Sequence, residues 1–230
     1  MIVAAGWVLP VKKSELATVL DSLQAKLRPF FKDRGFRIRR RTLNRTTPDG
    51  LTDVVNFQMG SFDPPGTTYI PGLRENLYGR FTINLGIYVP EVARYHGAGE
   101  ARAFVQDYFC CLRERLGQLG PDHQELWWRI RDDYQLADEL RKRLERDAFP
   151  FFSRFETRDA LLSELLHATD RTFVGSPPRI ICAIILAVRG CQEDARALLA
   201  TQIRDDQSHP QHAEYVRALA GRLGLPTLDT

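Results

Sequence analysis

The sequence predicts an α+β protein: an antiparallel sheet of three to five strands packed on an N-terminal helix, followed by an all-helical C-terminal lobe. Three observations carry this. Between Gly35 and Val92, stretches alternate apolar and polar residues with a period of two, which puts neighbours on opposite faces of a strand. Before them, Leu16, Val19, Leu20, Leu23, Leu27, Phe30 and Phe31 recur at helical spacing. From Tyr134 to the end the pattern is helical throughout. The expected division is a sheet domain over 1–133 and a helical lobe over 134–230 packed on it, with one continuous domain as the alternative.

Composition excludes several classes. A chain of 230 residues with 43% hydrophobic and 27% charged content has ordinary globular proportions and can bury a core without metal or disulfides. The formal net charge of +3 permits a local basic patch but makes no global case for nucleic acid. Four cysteines without a CxxC read as buried, reduced thiols of a cytoplasmic protein. MIVAAGWVLP lacks a basic start and is broken at Pro10, so it reads as an extended lead-in or edge strand and not as a signal peptide. The longest apolar run, Ile180 to Val188, is far shorter than the roughly 20 residues a membrane helix needs, so no membrane is expected.

Taken in order, Ser14 caps the first helix, Glu15 suits its dipole, Pro29 predicts a kink or break near Arg28, and Gly35 can close it. Three strands follow: FRIRRRTL, DVVNFQMG and RFTINLGIYVPEV. Alternation would drive Arg40 into the core, which predicts a bulge there or a strand that ends there. Thr47-Pro48-Asp49-Gly50 is a turn. The proline- and glycine-rich loop from Ser61 to Gly79 is expected to lie over the sheet edge or its polar face. Ala103, Phe104, Tyr108, Cys111, Leu112 and Leu116 predict a helix from Glu100 to Leu119, and ELWWRI a fourth strand from Glu125 to Ile130. Helices then run from Leu136 to Asp147, around a break at Pro150, from Thr157 to His167, and from Arg179 to Arg189. The last two, Gln192 to Arg204 and Pro210 to Leu223, resemble one tetratricopeptide-like helical hairpin.

No Walker loop, GxGxxG, GxSxG or HExxH is present, so no catalytic residue, metal ligand or cofactor is assigned. The five histidines are scattered; His209 and His212 read as capping or solvated groups. The strongest candidate is the polar face of the predicted sheet, where Arg37, Arg39, Asn56, Gln58, Asn84 and Tyr88 fall together. Guanidinium forks suit carboxylates and phosphates, and amides add orientation. The structural alternative is that these groups bond only to the proline-rich loop and the helical lobe.

Gly35–Phe36, Asn56–Gln58, FTINLGIYVPEV at Phe81–Val92 and Trp127–Trp128, in this order, resemble the bacterial domain of unknown function 4304 (DUF4304) family. The resemblance runs from about Leu16 to Trp128, with GCQEDARALL at Gly190–Leu199 similar to the family's ending. It departs at RRRTLNR, Arg39–Arg45, where the family more often carries an aromatic. It implies an α+β fold and no particular reaction or cofactor. The expected function is a non-catalytic protein-interaction or regulatory module with a protein partner, of which toxin neutralisation is one form. Two alternatives stand beside it: binding of nucleic acid or an anionic ligand through the arginine-rich strand, and an enzyme acting on a small anionic substrate at the polar sheet face.

Overall fold

The computed structural model describes residues 14–60, 77–96, 102–167, 177–205 and 208–226. The lead-in and most of the proline-rich loop, both assigned from sequence, lie outside the described residues.

The first helix, α1 (Glu15–Lys32), is capped by the Ser14 hydroxyl, which accepts from the Ala17 N–H. It continues through Pro29 without the expected break. Its buried stripe, Leu20, Leu23, Leu27, Phe30 and Phe31, lies on the apolar face of the sheet, where Phe31 meets Phe36 and Phe57 edge-on.

FRIRRRTL is not one strand but a hairpin. Strand β1 (Arg37–Arg39) pairs antiparallel with β2 (Thr42–Thr46), and Arg40 takes a φ of 55° in the turn between them. The strand end foreseen at Arg40 thus removes its charge from the core. The Thr47–Gly50 turn leads to β3 (Thr52–Met59), which pairs with β4 (Arg80–Tyr88) over its full length. The other edge of β4 is shared: β5 (Leu112–Arg115) lies against Asn84 to Ile87, and the two-residue β6 (Trp128–Arg129) against Arg80 and Phe81. The antiparallel sheet therefore has 6 strands, with the order β1-β2-β3-β4-β5 and β6 also paired to β4.

The helix predicted from Glu100 to Leu119 does not form over the described residues 102–119. After the short α2 (Pro90–His96), residues 102–110 run as an extended strap containing one 3-10 turn, Asp107–Phe109, and then enter β5. Apolar residues spaced for a helix also served a strand: in LRERL, Leu112 and Leu116 turn to the core while Arg113 and Arg115 turn away. The open edge of β4 selects the strand, because its backbone groups need partners.

The remaining helices are α3 (Tyr134–Arg143), α4 (Phe149–Arg154), α5 (Arg158–His167), α6 (Pro178–Val188), α7 (Gln192–Asp205) and α8 (Pro210–Arg222). At Pro150 the chain widens instead of breaking. Leu144–Ala148 is a π turn in which the Phe149 N–H reaches back to the Leu144 carbonyl, ahead of a proline that has no N–H to donate. One apolar cluster runs unbroken from α1 and the sheet into α3–α8, across residue 133. Arg158 clamps the junction: its guanidinium forks onto both Glu91 oxygens at 2.5 and 2.8 Å, and its backbone N–H donates to Asp49.

Candidate functional site

Strand register sorts every sheet side chain. Leu43, Val55, Phe57, Phe81, Ile83, Leu85 and Ile87 share the face that meets the helices. On the other face, two rows cross five strands. One reads Arg39, Thr42, Asn56, Asn84, Arg115; the next reads Arg37, Asn44, Val54, Gly86, Arg113. Each row begins and ends in an arginine. Gln58 pairs with Thr82, Thr52 with Tyr88, and Arg80 with Arg129 on the same side. All six residues singled out from sequence, Arg37, Arg39, Asn56, Gln58, Asn84 and Tyr88, thus lie on one face. No strand residue there is acidic; the two strand acids, Asp53 and Glu114, lie on the helix side.

The six do not share one environment, because the strap covers half of the face. Asn44 is bonded in peptide fashion to Val105, donating to its carbonyl at 2.9 Å and accepting from its N–H at 2.6 Å. Thr42 donates to Gln106 at 2.7 Å, and the Asn84 amide reaches Gln58 at 2.7 Å and Asp107 at 3.2 Å. Val54, Tyr88, Ala93, Val105 and Cys110 close a second, small apolar cluster beneath the strap. Gly86 is required there: a Cβ at that position would stand 2.5 Å from the Cys110 sulfur. Asn84 and Tyr88 are consequently buried, and burial raises the Tyr88 phenol. Their cover is the strap, held through Thr42 and Asn44; read as one strand, FRIRRRTL puts Thr42 on the apolar face and ends before Asn44. Arg37, Arg39 and Gln58 stay exposed, and Asn56 is half-buried with its amide donating to Thr42 at 2.9 Å.

The arginine cluster of residues 34–45 is split by the sheet. Arg34 pairs with Glu145 at 2.9 Å, Arg41 with Asp21 at 2.7 Å, and Arg45 with Asp53 at 2.7 Å, all on the helix side. Arg45 lies 5.0 Å from the Phe36 ring and 5.7 Å from that of Phe149. Asp53 has no exposed surface, and despite Arg45 its burial pushes the carboxyl up to about 6. Glu114, half-buried on the same side, is pushed by burial to about 7. On the opposite face, Arg113 meets Asp107 at 3.1 Å and Arg115 pairs with Glu125, while the Trp127 ring lies 5.3 Å from Arg115. Among the described residues no acid lies within ion-pair distance of Arg37, Arg39 or Arg129.

Cys110, Cys111 and Cys182 are buried free thiols, raised by burial; Cys191 is free but exposed, contrary to its expected burial. His96 is bonded through Nδ1 to the Tyr215 hydroxyl, and His212 lies 3.3 Å from Gln202. Among the described residues no three His, Cys, Asp or Glu side chains are grouped to hold a metal, and no helix is long and apolar enough to cross a membrane.

Residues 73–154 match the family model described as Domain of unknown function (DUF4304). The stretch contains β4, α2, the strap, β5 and β6, and ends with α4. The family resemblance read from the sequence is supported over this stretch, and the family description assigns no activity. No curated protein matches the chain. No solved structure matches it either.

Proposed function

We propose that this DUF4304-like chain is a non-catalytic interaction module that takes up an acidic protein partner on the exposed part of its polar sheet face. The observation that supports the reading is charge: the strand residues of that face include arginines and no acid, and Arg37 and Arg39 are exposed without an acidic partner among the described residues. Two residues apart on one strand, their stems stand about 6.7 Å apart, a separation that alternate carboxylates of an extended segment can match. Arg39 and Arg115 end the same row four strand spacings apart, roughly 19 Å, so they cannot close on one small anion. A regulatory or toxin-neutralising role in the cytoplasm accords with this mode of binding and with four free cysteines.

The test is affinity capture from a native lysate by the wild-type chain and by the double variant Arg37→Glu/Arg39→Glu. The expected result is an acidic protein retained at low salt, eluted as salt rises, and lost from the variant. Identical capture by both chains, or retention of nucleic acid in place of protein, would overturn the reading.

A further inference from the structure

We infer that the strap supplies the apolar centre of this interface, with Tyr108 as the anchor and the sheet arginines as its charged rim; the inference rests on the acidic-partner reading above. Most of the strap is pinned: Val105 to Asn44, Gln106 to Thr42, and Asp107 to Asn84 and Arg113. What it turns outward is different. Tyr108 is 63% exposed, its ring is 4.4 Å from that of Phe109, and the Arg102 guanidinium lies 3.8 Å over the Phe109 ring.

Three features separate this stack from an ordinary exposed side chain. Tyrosine and arginine are the residue types enriched where binding energy concentrates, because each offers a large contact area with a polar end. The backbone beneath is held by buried hydrogen bonds on both sides of the sheet centre, so little order remains to be imposed when a partner arrives. The stack also lies on the same face as the exposed arginines: the turn that carries Tyr108 packs on β3 and β4, two to three strand spacings, roughly 10–14 Å, from Arg37 and Arg39 on β1. The acid on the strap itself, Asp107, is buried and engaged by Arg113 and Asn84, so it does not repel an acidic partner at the surface. The occupant that fits is an acidic protein segment that also presents an aromatic or large apolar side chain to Tyr108.

Two defined polymers separate the contributions: poly-glutamate, and a random glutamate–tyrosine copolymer, each titrated against the full chain at low and moderate salt. The copolymer is expected to bind roughly tenfold more tightly than poly-glutamate, the step an aromatic anchor supplies. Tyr108→Ala should remove that advantage, chiefly through faster dissociation, and leave poly-glutamate binding unchanged, whereas Tyr108→Phe should keep it. Arg37→Glu/Arg39→Glu should weaken both polymers and flatten their salt dependence. If Tyr108→Ala leaves the copolymer's advantage intact while the arginine variant abolishes binding, the anchor is wrong and the acidic-partner reading stands. If neither polymer binds at low salt, or an oligo(dT) probe binds more tightly than both, the acidic-partner reading falls and the anchor with it. Tyr108 is exposed, so its variants are expected to fold, and their thermal midpoints give the control.

Discussion

Arg45 and Arg39 lie six residues apart in the same arginine-rich run, yet they do different work. Arg45 points to the helices, grips the fully buried Asp53 at 2.7 Å and lies among phenylalanine rings. Arg39 points the other way and is exposed, with no acid beside it among the described residues. The turn at Arg40 and the parity of two short strands account for the difference. A count of positive charges in this run therefore measures nothing by itself; the face on which each guanidinium lands decides whether it stabilises the fold or remains available to a partner.

The sharpest break in this comparison is expected on the helix side. Arg45→Ala leaves Asp53 buried without its cation and should cost about 3 kcal/mol at neutral pH, measured by chemical denaturation. The cost should shrink at acid pH, because Asp53 then escapes by protonation. Wild-type stability should show the same carboxyl. Its pKa rises from 3.8 to about 6 on folding, so between those values the folded state holds a proton that the unfolded chain has released. Stability should accordingly fall as pH rises from about 4 to above 6, by up to about 3 kcal/mol from this group. Asp53→Asn should flatten that part of the profile; an unchanged slope would mean that Asp53 is not its source. Glu114, raised to about 7, acts in the same direction.

On the strap side the expected effects are smaller. Asn44→Ala removes both bonds to the Val105 peptide and should cost about 2–3 kcal/mol, with faster hydrogen exchange at Val105 before global unfolding. Gly86→Ala should cost about 1–3 kcal/mol by driving a methyl into Cys110. Combined with Cys110→Gly, its penalty should be smaller than the sum of the two single changes, and strict additivity would deny the contact. Smallest of all, Arg37→Glu/Arg39→Glu should shift stability by no more than about 0.5 kcal/mol, because exposed side chains contribute little to folding. A large loss there would give these arginines a structural role and erase the contrast.

The legible parts of the fold were those in which local pattern and tertiary demand agree. The helix from Glu15 and the helices after Tyr134 could be read because their apolar residues recur at helical spacing, and β4 because apolar and polar residues alternate from Phe81 to Val89. The parity of Asn56 and Asn84 was readable for the same reason, and the register sets them directly opposite each other. Residues 102–116 were misread because their apolar spacing suits a helix and a strand equally well. Asn44 and Thr42 were missed as holders of the strap because no local feature reports which distant backbone will need a partner. Nor could the sequence indicate that Asn84 and Tyr88 would be covered while Arg37 and Arg39 would not.

By its own periodicity, then, the chain determined which side chains fall on the greasy face of its strands and which fall on the polar one, since a side chain's direction follows from its place in a strand. Only the tertiary structure decided what became of the polar face. Burial of Asn84 and Tyr88 depends on a strap from elsewhere in the chain supplying hydrogen bonds in place of water. That exchange is settled by contacts between distant residues, where the spacing of neighbours carries no information.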